Sequence, residues 1–299
     1  MAHNHAHDIP GQKRSLLLSI GLNLSFAALE VVGGFFANSL ALLSTGLHDF
    51  SDAAALALSY LGLRLAQQKP SARRTFGFRK VRIVVAFVNA LVLMALTVLI
   101  VRSAIVRLAH PEPVRGAILI VVAVSSMLIN GTAVLSLRRH RESLSIRAAM
   151  WHLLDDVLGS VAVLVSGIII RYTGWTMTDP ILSILLGCFL IFGVWRVFRD
   201  AFRILIDSTP GDIELAEVTD FIRRFDPSIS DLHDLHIWTI GEGEHALMCH
   251  LVVADQKVSA FYPALSRLEC ALHERFGLTH VTLELECTEC KSGANVCSM

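Results

Sequence analysis

Apolar residues gather into long runs over the first two thirds of the chain. Six stretches of mostly apolar residues lie at Ser15–Ala37, Leu40–Leu63, Ile83–Val101, Gly116–Leu137, Ala148–Ile170 and Pro180–Phe198. As helices, each is about the 20 residues needed to cross a roughly 30 Å hydrocarbon layer. Past Pro210 the texture changes to short amphipathic units. Leu215, Val218, Ile222 and Phe225 form one helical stripe in Asp212–Phe225, with Asp212 as the expected cap. Leu232–Ile240 and His245–Ala254 read as strands joined by a Gly241-Glu242-Gly243 turn. Phe261, Leu265, Leu268 and Leu272 mark Ser259–Phe276 as a helix. In Thr279–Cys287, Val281, Leu283 and Leu285 alternate with polar residues, the pattern of a strand buried on one face.

These patterns predict a membrane all-α six-helix transmembrane bundle followed by a small α+β domain of order αββαβ. The expected limits are a flexible His-containing N-terminus at 1–14, the transmembrane domain at 15–208, the α+β domain at 209–290 and a tail at 291–299. The first apolar run begins only at Leu16, is long for a signal sequence and lacks a clear small-residue cleavage site, so it reads as a span.

Charge sets the orientation. Lys13, Arg14, the cluster from Arg64 to Arg82, Arg138, Arg139, Arg141, Arg147, Arg196, Arg199 and Arg203 fall on one side; the other has only Arg102, Arg107, Arg115 and Arg171. The positive-inside rule then puts both termini in the cytoplasm. Hydrophobic residues make up 54% of the chain and charged residues 17%, against roughly 25% charged in average soluble domains. That composition excludes disorder for most of the chain, and a net charge of zero argues against a nucleic-acid partner. Six cysteines in 299 residues are too sparse for a secreted disulfide scaffold.

Against this apolar background the ionisable residues stand out. The second run holds His48, Asp49 and Asp52, and the fifth holds His152, Asp155 and Asp156; Glu30 in the first is the other notable exception. Each Asp at a helix centre costs about 2.5–3.5 kcal/mol on insertion scales. The two sets match as H-x-x-x-D, His48 with Asp52 and His152 with Asp156. Positions i and i+4 differ by about 40°, so each His shares a helix face with its Asp. Two such helices together offer two nitrogens and two oxygens, a tetrahedral set suited to Zn²⁺ and compatible with Co²⁺ or Cd²⁺. With neutral His the empty set carries two negative charges, so protons should replace a departing metal. Asp49 and Asp155 lie roughly 60–100° off these faces and read as supporting or water-facing groups.

At these residues the chain resembles the cation diffusion facilitator family, in its zinc-transporting branch. The resemblance runs over about residues 15–290 and is carried by Asn38–Leu43 leading into His48 and Asp52, by His152–Ser160, by Asp179–Ser183 and by His233–Trp238. It implies a homodimer in the lipid bilayer, six spans, a cytoplasmic metallochaperone-like domain, and metal export coupled to inward proton movement. In a prokaryote the membrane would be the inner, or plasma, membrane. It also implies that His48, Asp52, His152 and Asp156 hold the transported ion. His233, His250 and Glu286 match metal-binding positions of the cytoplasmic domain, with Glu284, His280, His236 and His245 as alternates. Lys80 and Asp207 match a charge interlock between dimer-related helices. Thr45 and Arg82 depart from the family pattern, where acidic residues are usual. The connection between the fourth and fifth runs has only His140, so the family's His-rich loop is missing.

Cys287-x-x-Cys290 supplies two thiolates in a reducing compartment, and Cys297, His3, His5 and His7 are further donors. Cys188, Cys249 and Cys270 read as core residues. The favoured expectation is a proton-coupled Zn²⁺ exporter rather than an enzyme. A metal-gated channel or sensor is the alternative, and a membrane metallohydrolase a remote one, lacking H-E-x-x-H.

Overall fold

The computed structural model describes residues 10–66, 71–137, 144–241 and 243–287. His3, His5, His7, Lys69, Arg138, Arg139, His140, Arg141, Glu242, Cys290 and Cys297 lie outside them.

The six apolar runs lie within six helices. These are α1 (Pro10–Ala37), α2 (Leu40–Ala66), α3 (Val81–Ala109), α4 (Gly116–Leu137), α5 (Leu144–Thr173) and α6 (Thr178–Leu205). Among the described residues, three helical stretches are long and apolar enough to cross a membrane by length and composition: Val81–Ala109, Leu153–Thr173 and Thr178–Leu205. Shorter apolar stretches occupy Asn23–Ala37 and Gly116–Thr132. Polar groups such as His48, Asp49 and Asp52 break the apolar run in α2.

The described residues divide into two compact units. One holds the chain up to Tyr60 together with Val88–Val197; the other holds Leu61–Phe87 and the chain from Phe198 onward. In the first, Ala37, Ala41, Leu42, Leu119, Val122, Ala123, Val163 and Ile170 form a buried cluster joining α1, α2, α4 and α5. Gly167 lets α4 approach α5 closely: a Cβ there would lie 2.9 Å from Leu119 Cβ. Large apolar side chains such as Phe35, Leu128, Leu158 and Phe192 point outward and are exposed. A helix apolar on its outer face is satisfied by hydrocarbon or a partner, not by water.

The second unit contains α7 (Leu215–Phe225), β1 (Ile229–Gly241), β2 (Glu244–Val253), α8 (Val258–Phe276) and β3 (Leu278–Glu286). The sheet order is β1-β2-β3, with β1 antiparallel and β3 parallel to β2. A parallel pair needs a crossover, and α8 supplies it. Val218 and Ile222 of α7 and Phe261, Leu268 and Leu272 of α8 pack with Leu235, Ile237, Leu247, Cys249 and Leu251 of the strands. Gly277 ends α8 in the left-handed conformation and donates its N–H to His273 O, the ordinary glycine stop.

Two expectations need correction here. Asp212 does not cap α7: the helix starts at Leu215, Glu214 occupies the cap position, and no side-chain cap bond forms. Ile213 is instead buried in the domain core, which uses these residues as lead-in chain. Cys270 and Cys188 are exposed rather than core residues. Cys270 lies two positions from both buried Leu268 and buried Leu272, on the other side of α8. Cys249 is buried as expected, and desolvation pushes its thiol up to about 12, which keeps it neutral and inert.

Candidate functional site

The first candidate site is built on α2. Asn38, in the left-handed conformation at φ 55°, turns the chain from α1 into α2. Arg107 of α3 holds that turn by donating to Asn38 O (2.8 Å) and Asn38 Oδ1 (2.6 Å). Asp179 of α6 is fully buried and accepts from Ser39 Oγ, Leu40 N (2.9 Å) and Ala41 N (3.4 Å). Ser39 Oγ in turn accepts from Leu42 N at 3.1 Å. The unsatisfied amides at the start of α2 are thus met by one local and one distant side chain.

Two turns further on, His48 Nε2 lies 3.7 Å from Asp52 Oδ2. This is the shared face expected of i and i+4. A cavity of about 260 Å³ opens beside them, and its lining includes Glu30, His48, Asp49, Asp155, Asp156 and Ser126. So α1, α2, α4 and α5 all contribute polar groups to one space. His152 lies one helical turn before Asp156 in α5, but its side chain is not among those described. Ser126 and Ser160 are 2.6 Å apart, and Ser160 donates to Asp156 O at 2.8 Å. Asn89 donates to Ser51 Oγ at 2.9 Å, holding α2 one helical turn beyond the histidine.

Asp49 lines the cavity and faces Glu30, while Asp155 lines it from a more exposed position. Glu30 is the member whose place sequence reasoning missed. Its signal was a lone acid in the first apolar run, with nothing local to say where it points.

The second candidate site lies in the sheet. His233 and His250 are Cα partners across β1 and β2, and Glu286 sits near the end of β3. Glu286 uses both oxygens: Oε1 is 2.8 Å from His250 Nδ1 and Oε2 is 3.2 Å from His233 Nε2. One ligand atom from each of the three residues lies within 4.8 Å of the others. Tetrahedral bonds of about 2.0–2.2 Å place donors at separations of this order. His233 is buried, and its Nε2 contact with Glu286 Oε2 lacks hydrogen-bond geometry. A buried nitrogen left this way is costly unless something fills the gap.

The alternates sort cleanly. Glu284 Oε2 reaches within 3.5 Å of His250 Nε2. His245 pairs with Thr239 Oγ1 at 3.2 Å, and the His280 ring packs edge-on against Phe76 at 5.4 Å. His236 Nε2 lies 3.1 Å from Asp234 Oδ1. Asp234 was not foreseen. It sits at φ 53° in the register shift between His233 and His236, and its Oδ2 comes within 3.7 Å of His250 Nε2. A bulge cannot be read from an alternating pattern, because the extra residue imitates a change of face. Cys287 is exposed, with Asp255 as its near neighbour at 4.0 Å.

Lys80 Nζ lies 2.5 Å from Asp207 Oδ1. Asp207 takes the left-handed position after α6, and Ser208 N donates to Arg203 O. This is a helix stop that ordinarily favours glycine. Beside it, Arg79 pairs with Glu244 at 2.5 Å. Both pairs are substantially exposed, so each alone contributes about 0–1 kcal/mol in water.

Comparison with known proteins gives the family. Residues 16–206 match the cation efflux transmembrane domain, and residues 210–287 match the cytoplasmic domain of cation efflux proteins. The chain is 35% identical to the zinc transporter ZitB of Pectobacterium atrosepticum, covering 97% of this chain and 90% of that one. It is 34% identical to the metal cation efflux system protein CzcD of Cupriavidus metallidurans, over 97% and 92% of the two chains. It is 33% identical to a cadmium, cobalt and zinc/H(+)-K(+) antiporter of Bacillus subtilis, over 96% and 92%.

Proposed function

The chain belongs to the cation efflux family, and from that premise we propose that it exports Zn²⁺ from the cytoplasm in exchange for protons. The observation that carries this reading is the cavity among apolar helices whose lining includes His48 and Asp156, with Asp52 beside His48. His48, Asp52, His152 and Asp156 hold the ion during transport. Two imidazoles and two carboxylates match Zn²⁺, with Co²⁺ and Cd²⁺ as further substrates. Metal and protons compete for the same groups, because two uncompensated negative charges are expensive in a low dielectric. Alternating access then moves the site from one membrane face to the other.

All six helices α1–α6 cross the membrane, within a transmembrane domain at 15–208, and both termini are cytoplasmic. The α+β domain at 209–290 joins two copies into a homodimer. Its His233, His250 and Glu286 bind zinc as a structural or regulatory ion. Cys287 and Cys290 are weaker candidates for the same role. Lys80 and Asp207 tie the ends of α3 and α6 by charge.

Zinc uptake and zinc-dependent pH change in proteoliposomes test the reading. The parent protein is expected to couple the two, while Asp52→Ala and Asp156→Ala abolish both. Normal transport by those variants would show the site to be elsewhere. Zinc flux that ignores a pH gradient would favour a metal-gated channel.

A further inference from the structure

Helix α1 contributes a carboxylate to the cavity that the His/Asp pairing does not account for. Glu30 is 2% exposed, and its Oε2 has no hydrogen-bond partner among the described residues. The side chain faces Asp49 and Ser126, and Asp156 lies close enough to interact with it by charge. All four residues line the same cavity.

The backbone is shaped to hold Glu30 there. Gly46 stands two residues before His48, and a Cβ on it would lie 2.8 Å from Val31 N and 2.9 Å from Glu30 Cβ. Gly34 brings the same two helices together one turn away, where a Cβ would meet Leu43 N at 2.9 Å. So α1 touches α2 beside the histidine, and the point of contact carries the acid.

A carboxylate inside apolar helices is too costly to keep as filler. Hydrogen bonding to Asp49 and Ser126 accounts for part of it, and Glu30 is among the residues that line the cavity of about 260 Å³. We propose that Glu30 is a further cation-contacting residue of the intramembrane site. With Asp49 and Asp156 it forms an all-oxygen station that the divalent ion occupies on its way to or from the His/Asp set. Oxygen donors suit ions that have not yet shed their water, and they discriminate poorly among Zn²⁺, Mn²⁺ and similar ions. The station therefore gathers cations, and the imidazoles beside it select among them. This rests on the reading of α2 and α5 as the transport helices.

The test is the initial rate of zinc uptake into proteoliposomes of the full-length protein, with and without manganese as competitor. Glu30→Gln keeps the shape and removes the charge. It is expected to lower the rate about tenfold or more and to weaken inhibition by manganese. Glu30→Asp keeps the charge and is expected to recover much of the rate. Parental rate and parental manganese inhibition in Glu30→Gln would overturn the proposal. Equal loss in both variants at parental thermal midpoints would also overturn it, since shape rather than charge would then matter. If Glu30→Gln does not fold, Glu30→Asp decides: an altered zinc-to-manganese preference supports the station, and an unaltered one refutes it. Asp52→Ala, run alongside, separates the two readings. Loss of transport there with a normal Glu30→Gln removes the station alone, whereas normal transport in Asp52→Ala removes the site.

Discussion

At the scale of single residues, three side chains among the described residues occupy backbone positions that favour glycine. Asn38, Asp207 and Asp234 all have φ near 55°, a conformation that costs roughly 1–2 kcal/mol outside glycine. Each makes a contact glycine could not: Asn38 with Arg107, Asp207 with Lys80, and Asp234 with His236. Strain held in this way marks positions where the side chain matters. Asp234→Gly is expected to raise the metal-free thermal midpoint slightly while reducing the further rise on adding zinc. Scanning calorimetry with and without the metal reads both. A second residue sets an acid limit. Asp226 accepts from the Ser228 N–H at 3.0 Å, and that bond holds its carboxyl below the ordinary aspartate value. The contribution is therefore present above the unfolded pKa and lost as pH falls through the folded one. Asp226→Asn should lower stability modestly at neutral pH, leave the acid end little changed and so flatten the acid side of the profile, as a series of thermal melts across pH would record.

Elements are placed by close approach and by capping across helices. Glycine at 46 lets α1 press against α2 beside His48. Gly46→Ala forces the helices apart, and overpacking of this kind costs about 1–3 kcal/mol. It is expected to reduce zinc transport more than it reduces folded yield, measured by uptake per monodisperse protein. The start of α2 depends on Asp179, which reaches it from α6. Pattern reasoning located these helices well, because long apolar runs and i, i+4 spacing are local properties. It misjudged the start of α7 and the inward face of α8 at Cys270, where the rest of the domain decides which way a side chain turns.

For the whole molecule, the zinc site proposed in the sheet would link metal to stability. His233, His250 and Glu286 come from three strands that are distant in sequence. An ion bound there stabilises only the folded sheet, by about 2.7 kcal/mol at a hundred times its dissociation constant. Chelation is expected to lower the midpoint of the α+β domain, and His233→Ala with His250→Ala should erase that response. Calorimetry of the full-length protein with a zinc chelator makes the comparison.

The order of elements and the two His/Asp pairs are legible in the sequence because both follow from fixed periods, 3.6 residues in a helix and two in a strand. Alternation in β3 likewise put His280, Glu284 and Glu286 together on the polar side. Distances between elements have no such period. The place of Glu30 against Asp49, the bulge that turns Asp234 toward His250, and the reach of Asp179 to α2 arise only when remote segments pack. There, close contact at glycines and the need to satisfy buried polar atoms select one arrangement.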